Sequence, residues 1–303
     1  MTRQIYPNIA DLRHAYQRQE NITKILSEVG IGLERAEIIE IAYDIQAGSY
    51  TKIALDNPEW LEQYALDIHE LSRGHLADND VILDCGAGEL TTLSALSHYL
   101  PVQTHLLACD IALSRLRVGR RFARRAMKAE LAMKLNLFVA DMACMPLPNK
   151  SVDVVFTSHA LEPNHGRERE LLNELLRIAR RKLILFEPSW EHAGEKVRAR
   201  MEEHGYVRDL PRYIEEVGAC LVSVDPLPNS LNSMNPTFCY VIEPAEETNR
   251  FSAMPCEFSC PRSGVLLRKQ QGYWWSSEGG WAYPEIDGIA CLRSKHGVLM
   301  SHD

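Results

Sequence analysis

The sequence predicts an α/β fold: a doubly wound, mostly parallel sheet with helices on both faces, preceded by a helical N-terminal region and followed by a small β-rich module. Three observations carry this. From Asp80 to about Pro244, short apolar runs alternate with longer helical stretches, the pattern of strands buried on both faces. Residues 1–78 place apolar side chains at three-to-four spacing and hold no strong strand signal. Beyond Glu243 the composition shifts, and three of the eight cysteines and three of the five tryptophans fall within 251–303, around a Gly279-Gly280 turn.

Taken in order, helices are expected over 22–29, 35–45 and 59–71, with Gly48 interrupting them and Asn57-Pro58 opening the third. Strands are expected at 81–85, 105–110, 135–140, 152–158, 182–187, 220–224 and 237–242, with helices over 90–99, 114–133 and 167–180. The last two strands have no long helix between them, which predicts an antiparallel pair at the end of the sheet. Residues 244–250 read as a polar linker. The chain thus divides into 1–78, a domain over 79–245, and a module over 251–303.

Bulk properties narrow the function. The chain has 303 residues, 46% hydrophobic and 24% charged, the make-up of a soluble globular protein longer than one typical domain. Its net charge of −8 argues against nucleic acid as a partner, because that affinity comes largely from Lys and Arg on phosphate. The start, MTRQIYPNIADLRH, has no apolar core or small-residue cleavage site, and no run approaches the roughly 18–20 apolar residues of a membrane helix. A cytoplasmic location and no membrane partner are expected. Five cysteines sit singly in apolar stretches and read as small core residues.

The chemistry concentrates in VILDCGAGELTTL. An apolar run ends in Asp84, followed by Gly86, Gly88 and the start of a helix. Ligands in such sheets lie beyond the carboxyl ends of the strands, and glycine lets the backbone approach them. The third glycine of a dinucleotide fingerprint is replaced by Thr91, which argues against nicotinamide cofactors. A carboxylate before the turn suits a ligand with a cationic amino group. Asp110 ends the second strand and suits a ribose; Asp141-Met142 ends the third and suits an adenine, by its carboxylate and its apolar side chain.

With these residues in line, 81–190 resembles the class I S-adenosylmethionine (SAM)-dependent methyltransferases, which have a Rossmann-like sheet. LDCGAGE matches the family's first motif, Asp110 and Asp141-Met142 its next two, and SVDVVFTSHALEP its fourth. The resemblance implies SAM as cofactor, contacted by Asp84, Cys85, Gly86, Ala87 and Gly88, by Asp110 and Ile111, by Asp141 and Met142, and by Ser158. Upstream, AYDIQAGSY is similar to an N-terminal helix that lays a tyrosine over the cofactor, with Tyr43, Gln46 and Tyr50 as candidates. Adding a side chain at Gly86 is expected to block SAM and leave the fold intact.

The tail resembles the zinc-ribbon module that activates tRNA, rRNA and release-factor methyltransferases, through Cys260-Pro261, Gly264, Leu266 and YPEIDGI. Ser263 and Ser276-Ser277 stand where cysteines are expected, so the reading is a degenerate ribbon without metal. A replacement set of Cys256, Cys260, Cys291 and His296 is the alternative. Trp274, Trp275, Trp281 and Tyr283 are expected to stabilise the module by packing on the main domain or on a second subunit, a route to a homo-oligomer.

An oxygen acceptor needs a base, and His159 and His165 lie where it would arrive, with Glu162 nearby. The helix SRLRVGRRFARRAMK has seven basic residues in fifteen and reads as a solvated face over Leu116, Phe122, Ala123, Ala126 and Met127. The expected function is methylation of a small molecule or sugar, at oxygen. The rivals are an RNA or protein methyltransferase guided by the tail, and a catalytically silent SAM-fold partner protein.

Overall fold

The central strand β1 (Val81–Cys85) is buried along its length. Val81, Leu83 and Cys85 join one apolar cluster and Ile82 joins another on the opposite face. Two-sided burial of this kind needs a helical layer above and below the sheet. The computed structural model, which describes residues 8–29, 32–230, 234–245 and 257–302, supplies both layers.

Helices α1 (Ile9–Gln17), α2 (Ile22–Val29), α3 (Arg35–Ile45), α4 (Ser49–Asp56) and α5 (Pro58–Ser72) come first. After β1 follow α6 (Thr91–Leu96), β2 (His105–Asp110), α7 (Leu113–Ala126), α8 (Ala129–Ala132) and β3 (Asn136–Val139). Then come β4 (Val152–Ser158), α9 (Glu168–Ile178), β5 (Ala179–Pro188), α10 (Glu195–His204), α11 (Leu210–Glu216), β6 (Cys220–Pro226) and β7 (Thr237–Glu243). The tail adds β8 (Arg268–Lys269), β9 (Tyr273–Ser276), β10 (Trp281–Ile286), β11 (Ile289–Cys291) and β12 (Val298–Leu299).

The strand order is β6-β7-β5-β4-β1-β2-β3-β11-β10-β9-β8, with β12 beside β10. Strands β5, β4, β1, β2 and β3 are parallel neighbours, while β7 is antiparallel to β5 and β6. The expected α/β sheet and its antiparallel end are both present. One face is covered by α5, α6 and α7, the other by α9 and α11.

One local expectation is corrected, and two helices appear that the sequence reading did not anticipate. The single helix over 114–133 is broken at Met127, whose extended backbone (φ −84°, ψ 152°) separates α7 from α8 while its side chain stays in the core. Helices α10 and α11 precede β6; α10 buries only Met201, so its sequence EKVRARMEEH has little apolar periodicity to read.

The tail packs on the main domain. Strand β11 pairs in parallel with β3, and Phe258, Leu267, Tyr283 and Leu292 enter the same apolar cluster as Leu83 and Val155. Trp274 and Trp281 pack against that cluster. On its other side, the tail's Asp287 takes Arg117 and Arg120 of α7, so part of the basic helix is spent on this contact. Most of the expected linker, and Cys256, lie outside the described residues. Among the described residues no helix is long and apolar enough to cross a membrane.

Candidate active site

The parallel strands β1, β2, β3 and β4 end on one side of the sheet, and the sequence-derived residues stand at those ends. The carbonyl of Cys109 accepts from the backbone N–H of both Gly86 (2.9 Å) and Ala87 (2.8 Å), which folds the turn after β1 over β2. Gly86 has φ +82°, and a Cβ there would lie 2.3 Å from the Cβ of Ala160. The expectation that Gly86 could be enlarged with the fold intact is therefore overturned, since the left-handed backbone and the Ala160 contact both require glycine.

Asp110 accepts from Gly88 N–H and from Ala112 N–H, both at 2.9 Å, and so braces the turn and opens α7. Asp84 is 9% exposed, and among the described residues no donor bonds its carboxylate. Burial, with the Asp110 charge adding to it, pushes Asp84 up to about 7. It borders a small pocket with Thr92 and Ser158 beside the second cleft described below. A buried carboxylate lacking a donor fits the cationic amino group of SAM.

Two clefts meet over these turns. The first holds about 70 Å³ of free space and is lined by Tyr43, Cys85, Gly86, Asp110, Ile111, Asp141 and Met142 among others. The second holds about 310 Å³ of free space between Tyr50, Trp60 and Tyr64 on one side and Ala87, Gly88, Ser158, His159 and Glu162 on the other. Gly86, Arg115 and His159 border both. Arg115 was not singled out from the sequence. Its guanidinium lies 5.2 Å from the Tyr43 ring centre, 4.7 Å from that of Tyr50, and 3.7 Å from Asp110. Gln46 ends α3 and lines neither cleft.

Glu89, the acid that closes LDCGAGE, has a role the sequence did not reveal. It is 1% exposed and accepts from the backbone N–H of Gly48 (2.8 Å) and Thr51 (2.7 Å) and from the Thr51 hydroxyl. It thereby caps α4 and ties the N-terminal helices to the glycine turn.

His159 stands in a left-handed conformation (φ +53°) just past β4. Its Nδ1 bonds Glu162 (2.9 Å) and its Nε2 bonds the Thr237 hydroxyl (3.0 Å). Burial pulls its pKa down, but bonding to Glu162, with Glu187 behind, leaves it above the ordinary value. Glu187, at the end of β5, accepts from Thr157, Ala160, Leu161 and Glu162 and so holds this loop. Burial pushes Glu187 up to about 7, against the pull of His159. His165 lines neither cleft; its Nδ1 bonds Glu168 (2.8 Å).

Residues 82–182 match the family model described as a methyltransferase domain. This segment is a SAM-dependent methyltransferase domain. No curated protein matches the chain. Among solved structures, the methyltransferase domain is similar to a chain from the complex of the Haloferax volcanii Trm112 methyltransferase activator with a methyltransferase, at 15% identity and TM-score 0.51, covering 65% of this chain and 96% of that one. Geranyl diphosphate C-methyltransferase from Streptomyces coelicolor A3(2) has 14% identity and TM-score 0.46 over 59% of this chain and 78% of its own. A SAM-dependent methyltransferase from Aquifex aeolicus has 18% identity and TM-score 0.48, over 63% and 95%. At such identities the likeness is one of fold.

Of the tail's candidate ligands, Cys256 lies outside the described residues. Cys260 lies 3.4 Å from the Tyr283 hydroxyl, and Cys291 sits in β11 against β3. Among the described residues no three His, Cys, Asp or Glu side chains are grouped to hold a metal ion.

Proposed function

We propose that this methyltransferase acts on a small molecule, a sugar among them, and methylates it at oxygen. The observation that carries the reading is the second cleft, which runs from the glycine turn to the His159–Glu162 pair under the aromatic side chains of α4 and α5. Its size suits a small molecule, and it is walled on one side by this chain's own N-terminal helices.

In this reading Asp84 receives the amino group of SAM, Asp110 the ribose, and Ile111, Asp141 and Met142 the adenine, with Tyr43 above. SAM supplies an electrophilic methyl group on a sulfonium. The chain's own part is alignment and proton removal. Both ring nitrogens of His159 are bonded, and of the carboxylates lining the cleft Glu89 is taken up by α4, which leaves Glu162. Glu162 takes the acceptor's proton, and His159 holds that carboxylate in place while Thr237 holds His159.

A second reading has the tail recruit an RNA or protein acceptor, as a built-in counterpart of an activator subunit. The addition of β11 to the edge of β3 supports an activator-like docking. The tail's strands lie beyond β3, whereas the second cleft is bordered by α4, α5 and the segment before β7. That separation favours the small-molecule reading. The test supplies methyl-labelled SAM to the protein with a cell extract. Label in the low-mass fraction supports a small acceptor; label in RNA or protein alone would reverse the choice.

A further inference from the structure

The tail also reaches the cofactor side of the sheet. Strands β11 and β3 run parallel with Cys291 opposite Val139, and Leu292 N–H donates to the Val139 carbonyl at 2.8 Å. Their carboxyl ends therefore point the same way, toward the face where ligands bind. Continuing the register sets Arg293 opposite Asp141. The guanidinium lies 3.7 Å from the Asp141 carboxylate and bonds Glu40 of α3. Arg293 is 5% exposed, so this is an enclosed charge held between two carboxylates. Lys295 joins it on Glu40 and lies 3.8 Å from Glu37. Helix α3 carries Ala36, Ile39 and Tyr43 into the first cleft.

We propose that Arg293, supplied by the C-terminal module, is a positioning residue of the SAM site, aiming the Asp141 carboxylate and holding α3 down over the first cleft. The proposal rests on the reading of that cleft as the cofactor site. Arg293 does not itself line the cleft; it touches two elements that do. Without it, Asp141 loses its cation and Glu40 keeps only Lys295, so the tie between α3 and the end of β3 is cut. A planar guanidinium reaches both carboxylates at once, which a lysine ammonium does less well.

The experiment measures S-adenosylhomocysteine binding to the full chain by calorimetry. Arg293→Ala is expected to weaken it about tenfold or more, and Arg293→Lys by an intermediate factor. In an Asp141→Asn background the further loss from Arg293→Ala should shrink clearly, because the two act together. Asp287→Ala, which breaks the tail's contact with Arg117 on α7, should change affinity less than twofold. An equal loss for Arg293→Ala in both backgrounds, or an equal loss from Asp287→Ala, would overturn the proposal and leave the tail a general brace. Should Arg293→Ala fail to fold, Glu40→Gln severs the α3 side, and unchanged affinity there overturns it as well. A wild-type chain that does not bind the ligand would instead overturn the cofactor reading itself.

Discussion

At the residue scale, the proposed pairing of Asp84 with the SAM amino group predicts that cofactor binding depends on pH. Its carboxyl is pushed up to about 7, so below that pH the cofactor-free protein holds it neutral. The ammonium of SAM favours the ionised form, and affinity should fall as pH drops below about 7, approaching tenfold per unit. The same shift bears on stability. A carboxyl raised by folding costs nothing below its unfolded pKa, costs more as pH rises toward 7, and costs its full amount above. Asp84→Asn should therefore raise the cofactor-free melting temperature at pH 8, with a smaller gain at pH 5, and should lose SAM binding. Because Glu187 is also pushed up to about 7, a pH dependence that survives in Asp84→Asn would assign the titration elsewhere. Glu162→Gln should lower turnover about a hundredfold with SAM affinity retained, while His165→Ala should leave turnover near normal. The reverse ranking in a steady-state assay would move the base from Glu162 to His165.

At the element scale, the glycine turn was legible and its fastening was not. Asp84, Gly86 and Gly88 announce a ligand turn by their order along an apolar strand. Glu89 looks the same in sequence as any polar residue at the start of a helix. Its partners at Gly48 and Thr51 lie about forty residues upstream. Glu89→Ala removes the cap of α4 and leaves half-buried N–H groups unbonded, a loss of about 1–2 kcal/mol. Urea unfolding should register that loss, and KM for the acceptor should rise more than the dissociation constant of SAM. A KM that does not move would detach α4 from the acceptor cleft. Arg115 escaped notice for a related reason. It sits in a run of basic residues, and only its contact with Tyr43 and Tyr50 separates it from the solvated ones.

At the scale of the whole molecule, the tail is bonded into the sheet. Deleting 257–303 would strip Phe258, Tyr283 and Leu292 from the main apolar cluster and bare the edge of β3. An uncovered edge strand beside exposed apolar surface is prone to pair with other chains. The truncated protein should elute as aggregates in size-exclusion chromatography with light scattering. A monodisperse, cooperatively melting truncation would mean that β3 needs no cover.

The order of apolar strands and acid-tipped turns determined, from sequence alone, the α/β class, the antiparallel end of the sheet and the place of the glycine turn. Those signals are local: each is a run of neighbours with one period. What the tertiary structure decided are the meetings between distant segments. Glu89 finds α4, His159 finds Glu162 and Thr237, and Arg293 finds both Asp141 and α3. No periodicity records them, because a charged side chain is written the same way whether it faces water or a partner, and strand register alone brings Arg293 beside Asp141.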